Sequence, residues 1–427
     1  MSWRRFFPLI FLFSCVDGFI GNYLYPAVLP LLYRDSLVLF VYLLFLTQEH
    51  FGPWLNGLIH RIGKTVGALA LCFMFVGLLQ IFNSNLPSLA VGLLGFKSYY
   101  FYWPLALLAY TYASGSDKVR NLIRWIVYFS IPINLFGLYQ FWSGPDYLVD
   151  TFGPGFERAT ILAEFVGEGS EYSFLRVIGT FASAGQYAHF LVINNMFCLS
   201  LLLSSHSARE KPFLIGAFFL SFASLLATGS RGPLIIFAFC VLATFRLCSG
   251  ILRMSWTSLI TVLVVYAAFH WLGTDVVNRF ETIRDMEMVS NRTIETTPVM
   301  FQEMLEQHPF GLGIGIATGA SRHLMGEASE EIYLVENHPS KLLLEVGLFG
   351  VFFFYLFALT MIIRWITHWL PHDQALRNFL GPMSAYGIVF LALSFIIGGF
   401  DSPPQGLFFW TLVGMVARLS VPAAVKV

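Results

Sequence analysis

Charge is what this sequence has least of. Only 12% of its 427 residues are Asp, Glu, Lys or Arg, against 57% hydrophobic ones. A soluble domain of this length needs a charged shell that such a composition cannot supply. An excess of either sign is missing too: 25 Lys and Arg balance 25 Asp and Glu, so bulk charge gives no basis for a nucleic-acid partner, and none is expected. The five cysteines (Cys15, Cys72, Cys198, Cys240, Cys248) lie in apolar stretches without CxxC spacing. They read as packing residues rather than a disulfide or metal framework. Short alternating strands, the mark of an outer-membrane barrel, are absent, and so is the internal repeat common among transporters. No P-loop, G-x-S-x-G elbow or dinucleotide fingerprint occurs.

What is present is apolar sequence in helix-length runs, with a mean hydropathy of +0.70 and 45 Phe. By the ~20-residue span criterion the chain predicts an all-α, polytopic integral membrane bundle of about twelve transmembrane helices. Their cores are at 6–25, 36–49, 64–82, 98–113, 120–141, 183–204, 212–229, 232–249, 256–272, 340–364, 376–398 and 405–421. The stretch 86–97 reads as a short interfacial helix. The N-terminal Arg4–Arg5 followed by an apolar run lacks an A-x-A cleavage site and reads as a retained first span. Residues 1–427 form one integral domain.

Basic residues sort by loop. Arg4, Arg5, Arg61, Lys64, Lys118, Arg120, Arg124, Arg209, Lys211, Arg246, Arg253, Arg364, Arg377, Arg418 and Lys426 fall in alternate connections, at the termini or at the flanking span ends. The positive-inside rule then predicts both termini in the cytoplasm. Two long connections fall on the outer side: a first loop at 142–182, and a large loop at 273–339, between helices 9 and 10, with amphipathic helical spacing at 293–307. Loops this long in a compact membrane domain are usually functional.

Outer-side arginines run against the charge rule. Arg231 in "LATGSRGPLIIF" sits in a tight turn between two apolar helices. It reads either as an interfacial arginine snorkelling to headgroups or as an anion site, where a guanidinium fork and the backbone N–H groups of a helix start face the same oxygens. In "VENHPSKLLLEVGLFG", His338 opens a helix and can take a proton. Glu345 follows two turns, or ~10 Å, further on. Its carboxylate there requires a polar cavity or a partner, Lys341 being the structural alternative at helical spacing. The acids Glu330, Glu331 and Glu336 near His338 lack metal-ligand spacing, so no metal is expected.

Four stretches together resemble the O-antigen ligase and Wzy-type O-antigen (exopolysaccharide) polymerase superfamily of bacterial envelope glycosyltransferases. They are "GFKSYYFYWPL", "LRVIGTFASAGQYAHFL", "TGSRGPLIIF", and "NRTIETTPVMFQEMLEQHPFGLGIG" taken with "ENHPSKLLLEVGLFG". The resemblance implies a GT-C-like enzyme of the bacterial inner membrane, working on the periplasmic side without metal or other cofactor. It would move a glycan from an undecaprenyl-diphosphate carrier to an acceptor hydroxyl, on a growing glycan or on lipid A core, with membrane lipids around it. It implies catalytic roles for His338 as base and for Arg231 and Arg292 at the diphosphate. Arg176, Lys97 and Glu345 are weaker candidates for substrate contacts. Pro339, where ligases usually carry Asn, Ser or Gln, leans the reading toward a polymerase. The competing class is a transporter or flippase of polyprenyl-linked glycans.

Overall fold

The structure is a computed structural model, and it describes residues 2–24, 33–144, 146–157, 164–166, 173–205, 207–248, 296–318, 338–371, 373–394 and 404–420. The described elements, in chain order, are α1 (Trp3–Tyr23), α2 (Tyr33–Gln48), α3 (Phe51–Ile62), α4 (Lys64–Gln80), α5 (Leu89–Tyr100), α6 (Leu105–Tyr112), α7 (Ser116–Ser143) and α8 (Tyr147–Phe152). They continue with the strands β1 (Glu164–Val166) and β2 (Ser173–Leu175), then α9 (Ala184–Ser204), α10 (Glu210–Ala227), α11 (Arg231–Leu247), α12 (Thr296–Gln307), α13 (His338–His368), α14 (Gln374–Leu393) and α15 (Gln405–Leu419). The two strands pair antiparallel.

Among the described residues, six helices (α1, α7, α9, α10, α13 and α14) are long and apolar enough to cross a membrane, and a seventh counts if α3 and α4 are taken as one bent span. The outward faces fit such a solvent: Phe75, Phe82, Trp125, Leu242 and Phe352 are all more than half exposed, a surface that water would not tolerate over so wide an area. Lipid offers helices no hydrophobic drive to associate, so close packing has to supply it. At the α6–α15 contact Gly414 lets the two backbones touch, because a Cβ there would collide with the Ala106 carbonyl oxygen. Helices α9, α10, α11 and α14 pack on one another, and α13 packs along α4.

Several predicted spans change form. The 98–113 run is interrupted: α5 stops at Tyr100 and α6 starts at Leu105 after a turn ending at Pro104, which has no N–H to continue the ladder. The 86–97 interfacial helix and the start of that run join as α5. The 64–82 span corresponds to α4, which meets α3 at a 105° bend at Gly63, where φ is 97°. Runs 36–49 and 405–421 become the 16-residue α2 and the 15-residue α15. Run 256–272 and most of the 273–339 loop lie outside the described residues.

Side-chain bonds identify the two ends of the bundle. At one end Arg4 pairs with Glu49 at 2.8 Å, Arg124 with Glu210 at 2.7 Å, Arg364 donates to the Arg61 carbonyl at 3.0 Å, and Arg377 to the Leu247 carbonyl at 2.6 Å. Of the basic residues that sequence assigned to alternate connections, Arg61, Arg364 and Arg377 lie around one cavity at this end. The opposite end is built from turns. Gln80 donates to the Phe310 carbonyl at 2.6 Å and Asn83 to the Gly311 carbonyl at 3.1 Å. Gln140 holds Gly179 through both backbone groups, at 2.8 and 3.0 Å.

Candidate functional site

Five of the six singled-out residues lie at or near the end made of turns; the sixth, Arg292, is outside the described residues. They form two groups. The first joins Arg176 to Arg231. Strand β2 ends at Leu175, and the chain then runs along the α10–α11 corner, with the Val177 N–H donating to the Ala227 carbonyl at 3.5 Å. Helix α10 ends at Ala227, Gly229 turns the chain at φ 60°, and Ser230 in extended conformation starts α11. Arg176 Nη2 donates to Ser230 Oγ at 3.0 Å. Arg176 is thus tied to the residue that precedes Arg231, at the first turn of a helix, where backbone N–H groups lack intrahelical acceptors. Arg176 Nε is buried without a hydrogen-bond partner among the described residues. Burial pushes the Arg176 guanidinium below the usual arginine value, since desolvation disfavours its charge. An anion placed there would relieve that cost.

The second group surrounds a reversal in α13. Gly347, with φ 69° and ψ −178°, interrupts the helix. The rings of His338 and Phe354 meet edge to face at 5.3 Å, although in a continuous helix these residues would be about 24 Å apart. The 338–346 arm therefore folds back along the 348–368 arm. His338 is buried in the bundle beside Phe354, which packs against Phe73 at 5.3 Å, and Phe73 in turn meets Tyr99 and Trp103. This corrects the expectation that His338 stands at the mouth of the helix with Glu345 below it. Glu345 is nearer the reversal, and His338 is deeper.

Glu345 accepts hydrogen bonds from the Tyr99 hydroxyl at 2.6 Å and the Ala317 N–H at 2.9 Å. It ties α5, the glycine-rich turn at 311–318 and the fold-back arm together. Glu345→Gln is expected to destabilise the protein by about 1–3 kcal/mol, because an amide offers one acceptor oxygen where two donors must be met. Thermal unfolding of the detergent-solubilised protein measures this. Tyr99→Phe combined with it should cost less than the sum of the two. A double variant that shows additive losses would mean that the pair does not act as a unit.

Lys97, expected as a substrate contact, forms an ion pair with Asp35. Its charge is already met by a carboxylate, so it does not stand as an open cation for phosphate. Asp35 also accepts from Tyr102 at 2.7 Å and from Arg34 at 3.2 Å, and Arg34 pairs with Asp17. The Asp17–Arg34–Asp35–Lys97 cluster, with Arg34 and Asp35 buried and Asp17 and Lys97 partly exposed, is a polar assembly that the sequence reading did not single out. The signal was there: Asp17 interrupts the first apolar run, and Arg34-Asp35 abuts the second. Ionisable residues at such positions are expected to have partners and a purpose. Helix α1, which carries Asp17, also holds the segment after Arg176: its Cys15 carbonyl accepts from the Thr180 hydroxyl and its Phe19 N–H donates to the Thr180 carbonyl at 2.9 Å.

Four cysteines are buried and Cys72 is exposed, all as free thiols. No family model matches the sequence, and no curated protein matches it either.

Proposed function

We propose that this protein is a membrane glycosyltransferase of the O-antigen polymerase or ligase type, taking a glycan from undecaprenyl diphosphate to an acceptor hydroxyl at the periplasmic face of the bacterial inner membrane. The observation that carries the reading is the bond from Arg176 to Ser230, the residue that starts α11 immediately before Arg231. Their end of the bundle lies away from the basic girdle, which the charge rule assigns to the cytoplasm. A pyrophosphate leaving group needs stabilisation of growing negative charge, and fixed guanidinium groups in a water-poor setting provide it well. His338 supplies the base for the acceptor hydroxyl. Arg292, in the predicted large periplasmic loop, belongs to the same proposal, as do the full set of about twelve spans and the cytoplasmic termini. Glu345 acts here by holding the arm that carries His338.

Arg231→Ala is expected to lower transfer by about 10²–10³, the usual cost of one missing donor to a developing anion. Arg231→Lys should recover little of this, because an ammonium lacks the planar fork. Ser230→Ala should cost less, since it removes only the tether on Arg176. Product formation from a radiolabelled donor in proteoliposomes checks the order.

A second reading has its own support. The Asp17–Arg34–Asp35–Lys97 cluster, buried at Arg34 and Asp35, is the kind of intramembrane charge that transporters use. Proteoliposomes loaded with an undecaprenyl-diphosphate glycan, with and without lipid A core, separate the possibilities. Carrier-linked oligomers mean a polymerase, and a lipid A conjugate means a ligase. Transbilayer movement of donor without any turnover would sink the enzyme reading and favour the transporter.

A further inference from the structure

The basic end of the bundle holds a cavity of about 560 Å³ whose wall includes Arg61, Arg364, Arg377, Trp369 and Ile366. No carboxylate lines it among the described residues. Its arginines come from three separate elements, and Arg364 and Arg377 are held in place by backbone carbonyls. Arg364 Nε donates to the Arg61 carbonyl at 3.0 Å and Arg364 Nη2 to the His60 carbonyl at 3.2 Å, while Arg377 Nε donates to the Leu247 carbonyl at 2.6 Å. These bonds leave both terminal nitrogens of Arg377, and one of Arg364, to other acceptors. The Trp369 indole donates to the Arg61 carbonyl at 3.2 Å and closes the wall on the bundle side.

An apolar track leads into the cavity. Leu359, Ile363 and Ile366 follow one another at i, i+4 and i+7 along one face of α13, each about half exposed, and Ile366 itself lines the cavity. A fixed cluster of guanidinium groups suits phosphate oxygens. The lack of a carboxylate leaves nothing to receive a headgroup ammonium. The track alongside suits acyl chains at the depth where the helices end. We propose that this cavity binds the phosphodiester headgroup of an anionic phospholipid, with its chains lying against Leu359, Ile363 and Ile366. The chemistry recognised is a phosphate oxyanion, and the lipid track favours a membrane source over a soluble one. Basic pockets between helices on the cytoplasmic side are suited to such lipids. The inference stands apart from the proposed glycan chemistry at the other end of the bundle.

The test uses the full-length protein in detergent, stripped of lipid, with phosphatidylglycerol, phosphatidylcholine and inorganic phosphate as separate probes, and with bound lipid counted by native mass spectrometry. Phosphatidylglycerol should bind more tightly than phosphatidylcholine. Arg61→Gln and Arg377→Gln should each weaken it by at least about tenfold, as loss of one charged hydrogen-bond donor implies. Arg61→Gln is the cleaner variant, because the Arg61 backbone carbonyl, which Arg364 and Trp369 use, is retained. Ile363→Ser should weaken the lipid while leaving phosphate binding unchanged. Equal affinity for the two lipids, or wild-type binding in both arginine variants, would overturn the site. Inorganic phosphate that binds as tightly as the lipid and displaces it fully would overturn the lipid assignment in favour of a soluble phosphate.

Discussion

His338→Gln lowers the rate of glycan transfer by about 10²–10⁴, the usual contribution of a positioned general base, while donor binding and unfolding temperature stay near those of the wild-type protein. The substitution follows from where the ring lies. His338 is wholly buried and meets the Phe354 ring edge to face. Alanine would leave a void and mix a stability loss into the readout. Glutamine keeps a polar side chain of similar reach but does not take up a proton near neutral pH. Single-turnover rates across pH then separate the roles. If His338 is the base, the pH dependence of the rate should differ between the wild-type protein and the variant. A histidine that only packs would show the reverse, with a lowered unfolding temperature and an unchanged pH profile. A glutamine variant that transfers glycan at the wild-type rate removes His338 from the chemistry and sends the search for a base to another residue.

Two of the spans that hydropathy placed well begin at a residue whose side chain caps a helix start. The 183–204 run became Ala184–Ser204, where the Ser183 hydroxyl accepts from the Gln186 N–H and caps the start. The 376–398 run became Gln374–Leu393, with Asp373 capping in the same way. The failures have more than one cause. Pro104 breaks the 98–113 run in a way that hydropathy does not weigh. Gly347 stands near the start of the uncharged apolar stretch 346–363, and hydropathy does not register direction, so a reversal of the chain there looks the same as a continuous span. The α3–α4 bend at Gly63 falls just before the run that starts at 64, and hydropathy marks that run without the angle at which it is entered. For the site, the turn around Arg231 was legible because an arginine between two apolar helices has almost no loop to occupy. Its pairing with Arg176 through Ser230 was not, since it depends on how the 176–182 segment lies across α10. The partners of Lys97 were also out of reach, because Asp35 is far away in the chain and near only in space.

Gly347→Ala should abolish correct folding of this end of the molecule. The φ of 69° with ψ −178° lies in a region that only glycine occupies readily, and holding an alanine there costs about 1–3 kcal/mol. A Cβ at Gly347 would also sit 2.5 Å from the Phe310 carbonyl carbon and 2.6 Å from its oxygen, and displacing a packed backbone costs about 1–3 kcal/mol more. The neighbouring bonds cannot absorb the shift separately. The Leu348 N–H donates to the Pro309 carbonyl at 2.9 Å and the Leu312 N–H to the Leu344 carbonyl at 2.6 Å, so the 309–312 turn is stitched to both sides of the reversal. Moving Phe310 away pulls on Gln80, which donates to its carbonyl, and on the arm that carries Glu345 and His338. Expected results are a lower yield of monodisperse protein on size exclusion and an unfolding midpoint several degrees down. Phe352→Ala, on the exposed face of the same helix, serves as the control and should leave both measurements unchanged. If the alanine at 347 were tolerated as well as that control, α13 would have to run on as a single continuous span, and His338 would return to the mouth of the helix.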